Sequence, residues 1–485
     1  MIAPPAWAQA DEPPKHAVGK VVDLPADAET THTIDLAGHR TDYTATAGSL
    51  PLRNDKQETQ ATVFYVAYTV TAPAESRRPV TFAFNGGPGA ASAYLQLGAL
   101  GPRVVDFSDD PAVVPHSGEL VDNPATWLDF TDLVFVDPVG TGYSRAATGV
   151  DEAKEFWGVD QDLRSLGQAI SLYLAHAGRT TSPVFLAGES YGGFRAARLA
   201  RSLIAEYGVH LAGATMISPV LDFPLLRGGD LDPLPDVMRL PSYAAVLLER
   251  RGALTPEGLS EVESFALGDY LVALAGGIER GPGATAFYSR LARFTGLPED
   301  LLHRLRGRIP PSVFEKEFRH GESRILSSYD GAVSAPDPHP ESLALHADDP
   351  ILDGTRPVFT GAMLAYLRDE LGFRTDQPYR LLVGEISRRW DWAVRSPWSS
   401  LGASDDLRAA LSLNPQFHGL VAHGMTDLQT PYMTSRYVVD HLPEMGESPR
   451  LTVKLYGGGR MMYLRPATCR QLHGGVAEMY RASGG

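Results

Sequence analysis

The chain has one cysteine, Cys469, in 485 residues. A single thiol makes no intramolecular disulfide and no cysteine-based metal site, so Cys469 reads as a buried or idle group. No run of eighteen or more apolar residues occurs, which excludes a membrane-spanning helix. An excess of positive charge is also missing. Lys and Arg number 43 against 58 Asp and Glu, for a formal net charge of -15. Nucleic-acid binders carry a basic face, so that class is set aside, and the acidic balance speaks to solubility. Neither repeats nor low-complexity tracts are present, and no cluster of ligand residues calls for a metal or a cofactor. Nothing in the composition indicates the oligomeric state.

What is present is an ordinary globular composition, 44% hydrophobic and 21% charged. The length suits one large domain with an insertion. Near the N-terminus, Ala8-Gln9-Ala10 followed by Asp11 and Glu12 resembles the cleavage end of a secretory signal, although no basic or apolar segment precedes it. Export to the periplasm or the medium is the expectation if that pattern is not chance. Residues 1–35 are read as this remnant and a disordered lead-in. "VFYVAYTV" from Val63, "VTFAF" within Pro79–Gly89, "DLVFVDPVGTGYS" from Asp132, "SPVFLAGESYGG" from Ser182 and "LAGATMISPV" from Leu211 are strand-like. Leu163, Leu166, Ile170 and Leu174 recur at helical spacing between two of them. Alternating strands and helices predict a mostly parallel sheet covered on both faces. The first part of that core spans 36–220. Helical segments and Pro/Asp-rich joints fill 221–416, read as a helical cap insertion. "HGLVAHGMTD" and "RLTVKLYGGG" return to strand patterns, so 417–485 completes the core.

Three stretches carry chemistry. Gly188-Glu189-Ser190-Tyr191-Gly192 is a G-x-S-x-G bend between a strand and a helix, which lifts the serine hydroxyl to a helix N-terminus. A serine there can also merely cap the helix. Asn85-Gly86-Gly87-Pro88-Gly89 follows a strand and leaves backbone N–H groups open to hold an oxyanion, with the Tyr191 N–H as second donor. Alone it would pass for a tight turn. Asp427 follows the strand "LVAHG", where the order Ser, Asp, His would put an orienting carboxylate, although aspartate is also common in turns.

"FNGGPGAAS", "VDPVGTGYS", "GESYGG", "HGMTDLQTP" and "YGGGRMMY" occur in this order over about Val63 to Tyr480. Together they resemble the serine carboxypeptidase family of α/β-hydrolase exopeptidases, in particular its disulfide-free bacterial branch. The resemblance implies an α/β-hydrolase fold, a peptide substrate and no cofactor. It implies Ser190 as nucleophile, Gly87 and Tyr191 as oxyanion donors, and Asp427 as the triad acid. Asn85, the Gly86 N–H and Glu189 stand where the family grips the terminal carboxylate of a peptide. That grip requires Glu189 to be protonated, since an ionised glutamate repels a carboxylate and cannot donate to it.

Two departures follow. Many relatives carry a second glutamate fourteen residues after the asparagine, and this chain has Ala99. The like charge that would raise the Glu189 pKa is then absent, and strictness for a free C-terminus weakens. The family also places a histidine after the last glycine turn, where this chain has Arg460. Imidazole has a lone pair to take the serine proton; guanidinium has none and stays charged. Arg460 is expected to pair with Asp427 as a cationic plug. His423 and His473 are the remaining histidines near these motifs, and each is read as a satisfied, non-catalytic group. The expectation is a serine carboxypeptidase-like hydrolase impaired by Arg460. Its alternatives are a silent peptide-binding protein, or an esterase or acyltransferase on the same machinery.

Overall fold

The computed structural model describes residues 24–36, 38–71, 77–108, 110, 114–115, 117–278, 281–393, 401–445 and 449–484. The signal-like stretch around Ala8–Ala10 lies outside the described residues.

Among the described residues the main sheet has ten strands, nine of them along one path: β1 Ala28–Leu36, β2 His39–Arg53, β3 Thr59–Val70, β4 Val80–Phe84, β5 Asp132–Val136, β6 Val184–Glu189, β7 Leu211–Ile217, β8 His418–Gly424 and β9 Leu451–Tyr456. Their spatial order is β1-β2-β3-β5-β4-β6-β7-β8-β9, with the short strand Arg145–Ala146 pairing beside β3. The run from β5 to β9 is parallel, and β1, β2 and β3 pair antiparallel at one end. The inner strands are apolar on both faces because helices cover both. Successive side chains point to opposite faces. Phe82, Phe84 and Leu186 therefore enter one core, while Ala83, Phe185 and Ala187 enter the other.

The first core is covered by α1 Val159–His176 and α2 Tyr191–Tyr207. α2 starts at the β6 bend and stops at Gly208, whose φ of 62° is the left-handed closure that glycine favours. In the middle of the chain, α3 Leu234–Arg250 lies among further short helices, and α4 Leu352–Ala365 and α5 Ser404–Leu413 follow. After β8 come α6 Tyr432–Asp440 and, at the end, α7 Pro466–Ala482. α7 closes the second core: the Tyr480 ring stacks on Phe185 at 3.8 Å between centroids. No helix of the described residues is long and apolar enough to cross a membrane.

Two findings differ from the sequence reading. The lead-in assigned to 1–35 ends in a strand, since β1 pairs along its whole length with β2. Its residues are mostly polar and only Ile34 is buried, so no apolar alternation marked it. The block 221–416 also divides. Its earlier part holds α3 and its neighbours, whereas Phe359 and Met363 of α4 pack into the second core. α5 lies on α2, joined by Arg198–Asp406 at 2.8 Å. Two short antiparallel strands, Arg324–Leu326 and Ser334–Pro336, also lie within the block.

A buried ion pair ties these layers to the loops above them. Arg195 of α2 donates Nε to Asp162 Oδ2 of α1 at 2.6 Å, and its Nη1 donates to the Asn85 carbonyl beyond β4. Both side chains are almost wholly inaccessible. We predict that Arg195→Met, which strands the Asp162 carboxylate, costs about 3–5 kcal/mol. Asp162→Leu combined with Arg195→Met should recover much of the loss. Urea unfolding measures both; a single-variant loss below about 1 kcal/mol would contradict the clamp.

Candidate active site

β6 ends at Glu189 and the chain reverses into α2 through Ser190, at φ 61° and ψ −120°. A non-glycine residue there stores strain of about 1–3 kcal/mol, held by the packing around it. The packing is backbone on backbone: a Cβ on Gly188 would lie 2.0 Å from the Gly192 carbonyl oxygen. Ser190 N–H donates to the Ile217 carbonyl at 2.8 Å. The Ser190 hydroxyl makes no hydrogen bond among the described residues. The loop after β4 runs alongside, so that a Cβ on Gly86 would lie 2.6 Å from the Tyr191 nitrogen. Gly87, at φ 102°, turns the loop in a conformation that L side chains rarely adopt.

Beside the serine lies a buried polar cluster. Asn85 Nδ2 donates to Glu189 Oε2 at 2.7 Å, and Asn85 Oδ1 accepts from the Leu95 N–H at 2.9 Å. Arg460 Nε donates to Glu189 Oε1 at 3.3 Å. Burial pushes the Glu189 carboxyl above its ordinary range, opposed by the Arg460 charge and the Asn85 amide. Arg460 follows the turn after β9, with its N–H on the Tyr329 carbonyl at 2.6 Å and its Cζ 4.9 Å from the centre of the Tyr329 ring. Burial opposes the guanidinium charge, but Tyr329, Glu189 and Asp427 outweigh it, so Arg460 stays protonated.

Asp427 is fully buried in the loop after β8. Its Oδ1 accepts from the Gln429 and Thr430 N–H groups at 2.9 Å each, and its Oδ2 accepts from the Thr430 hydroxyl at 2.6 Å. The expected Asp427–Arg460 pair is not formed; Arg460 turns to Glu189 instead. Asp427 already accepts three hydrogen bonds from residues two and three further on, whereas Glu189 Oε1 accepts from Arg460. Burial pushes the Asp427 carboxyl up to about 7, against the pull of Arg460 and those donors.

The other singled-out residues have partners elsewhere. His423 is buried on β8 with Nε2 2.8 Å from the Ser435 hydroxyl, and burial, helped by Arg460, lowers it to about 3. His473 pairs with Asp129 at 3.0 Å. Ala99 is buried, and its carbonyl accepts from Asn123 Nδ2 at 2.7 Å. Burial pushes the Cys469 thiol up to about 12. Among the described residues no three His, Cys, Asp or Glu side chains group as a metal site.

Two contributors escaped the sequence reading. Tyr329 comes from the insertion and forms the wall against Arg460. Leu381 and Val383 exchange backbone hydrogen bonds at 2.9 Å with Ala91 and Gly89, so the insertion also edges the glycine loop. Neither stretch carries a motif. Thr430, three residues after Asp427, was legible in principle as a turn hydroxyl.

A mostly parallel sheet wrapped by helices, with a serine on the strand-to-helix bend, is the α/β-hydrolase fold. The same fold is found in the solved structure of Kex1, a prohormone-processing carboxypeptidase of Saccharomyces cerevisiae. The TM-score is 0.58 at 15% identity, over 90% of this chain and 91% of that one. Residues 39–222 match the family model of the serine carboxypeptidases. The retinoid-inducible serine carboxypeptidase of Mus musculus is 32% identical over 146 residues, which is 30% of this chain and 29% of the relative. Serine carboxypeptidase-like 49 of Arabidopsis thaliana is 28% identical over 207 residues, 40% of this chain and 35% of the relative. The matches thus span about a third of these relatives' length. These relatives are eukaryotic, and the expected kinship with a bacterial branch is not borne out.

Asp427 generates a prediction about stability. Its carboxyl rises from an unfolded value of about 3.9 to about 7 in the fold. The folded chain therefore holds a proton that the unfolded chain has lost. The stability from this group is full below the lower value and is lost as pH rises through the upper one. Asp427→Asn should remove that dependence. The difference in Tm between variant and native chain should move in the variant's favour from acidic to mildly alkaline pH. Parallel Tm curves would refute it.

Proposed function

We propose that the chain is a serine carboxypeptidase-type hydrolase, with Ser190 forming an acyl-enzyme at the last peptide bond of a substrate, and that Arg460 holds its turnover far down. The observation that carries the reading is the bend itself. Ser190 stands at a positive φ ahead of α2, its hydroxyl unbonded, with the Gly86 backbone against the Tyr191 amide. In this reading the Gly87 and Tyr191 amides stabilise the oxyanion, and Asn85, the Gly86 N–H and Glu189 receive the terminal carboxylate. The match over 39–222 supports it, since that segment contains all of these residues.

The step that fails is proton transfer. As Ser190 Oγ bonds to the carbonyl carbon, its proton needs an acceptor within hydrogen-bond reach. Arg460 is protonated and offers no lone pair. His423 is held by Ser435, and Asp427 is closed in by residues 429 and 430. Loss of the triad histidine lowers turnover on the order of 10⁶-fold in a serine protease, and an oxyanion hole alone retains about 10³–10⁴-fold over water. Arg460→His should therefore raise release of the C-terminal residue from N-blocked dipeptides by roughly 10³-fold or more. Adding Ser190→Ala should abolish the gain. Substantial Ser190-dependent turnover by the native chain would refute the role given to Arg460. Silence of the revertant toward both peptides and esters would refute the hydrolase reading.

A further inference from the structure

The buried cluster beside Ser190 holds a cation whose bonding capacity is mostly unused. A guanidinium presents five N–H donors in a rigid fork. Arg460 uses one, Nε, on Glu189 at 3.3 Å, which is long for a charge-assisted bond. Its two terminal nitrogens make no hydrogen bond among the described residues. The side chain retains 10% exposure, so the fork is not sealed by packing. Nearby, the Tyr94 and Tyr463 hydroxyls are buried without a hydrogen-bond partner among the described residues. Both rings lie in the field of the Glu189 carboxylate and of Tyr329. A buried fork with open donors, a loosely held carboxylate and unpartnered hydroxyls beside it together suit a second carboxylate.

We infer that the C-terminal carboxylate of a peptide ligand, received beside Asn85, Gly86 and Glu189, takes the guanidinium fork of Arg460 while Glu189 releases Nε and takes up a proton from solvent. The inference rests on the reading of this cleft as a peptide site. It assigns to the residue in the place of the family's base a binding role of its own.

The charge balance requires the proton. Several groups face the guanidinium: Glu189 from the end of β6, Asp427 and His423 from β8 and its loop, Tyr329 from the insertion, and Tyr463 behind the glycine turn. His423 is neutral, and burial pushes both tyrosines above their ordinary value. The local charge is thus set by Arg460, Glu189 and Asp427. A further anion would leave the closed site negative unless one carboxyl takes a proton. Asp427, which burial pushes up to about 7, holds its own proton below that pH, so Glu189 is the carboxyl left to take one, and its Oε1 is the oxygen freed from Arg460. Oε2 keeps its bond from Asn85. Protonated Oε1 then donates to the incoming carboxylate.

Titration calorimetry with N-acetyl-Phe-Phe and its C-terminal amide tests this, on the native chain and on Ser190→Ala. The acid should bind about 10- to 100-fold more tightly than the amide. In buffers of different ionisation heat the acid should take up about one proton and the amide none. Arg460→Gln should erase the preference for the acid over the amide. Arg460→Lys, which keeps the charge without the fork, should retain a reduced preference. Equal affinity for acid and amide on the native chain, or no binding of either, overturns the inference. So does a preference that survives Arg460→Gln, because Asn85, Gly86 and Glu189 then suffice. Binding of the acid without proton uptake overturns the exchange at Glu189. The hydrolase reading fails separately, in the turnover of Arg460→His, and leaves this comparison unaffected.

Discussion

The site depends on one close approach of backbone to backbone. At the end of β6 the chain reverses so sharply that the Gly188 and Gly192 positions admit no Cβ, and Ser190 is held at φ 61°. Such strain persists only where the surroundings over-determine it. Three sources do so here: the Ser190 N–H on Ile217 of β7, the loop after β4 pressed against Tyr191, and Arg195. Arg195 deserves its buried position because it binds α1 and the Asn85 carbonyl at once. The nucleophile candidate, the glycine loop and the Asn85–Glu189 pair are thereby parts of one rigid assembly. Serine placement and carboxylate placement cannot vary independently.

Much of this was legible in the sequence for a physical reason. The inner strands are apolar on both faces because helices cover both, which leaves short uninterrupted runs such as "VTFAF" and "VFLAGE". The bend was legible because its steric demands admit only glycine at given positions. What was not legible lies where neither rule acts. β1 sits at the sheet's edge, and its threonine-rich strand buries only Ile34. Tyr329 reaches the cleft from far along the chain, and its place is set by tertiary packing rather than by any local pattern. The direction of Arg460 was misjudged because spacing says that Asp427 and the residue at 460 approach one site. It does not say that the buried Glu189 carboxylate lies within reach of the same guanidinium.

The two departures from the family pattern also bear on each other. The family resemblance would put at position 99 a glutamate sharing a proton with Glu189, and this chain has Ala99 there. A buried carboxyl without such a partner either remains neutral or finds a cation. Arg460 is that cation. Its Nε on Oε1 and the Asn85 amide on Oε2 leave Glu189 with a donor at each oxygen. A histidine at 460, pulled toward Asp427 and Ser190, would not supply this pairing, and a glutamate at 99 would compete for the same carboxyl. The arginine therefore fits the cluster electrostatically in the presence of Ala99. In the reading proposed above, anion recognition and serine activation pull the residue at 460 in opposite directions, and the pairing of Arg460 with Glu189 suits the first.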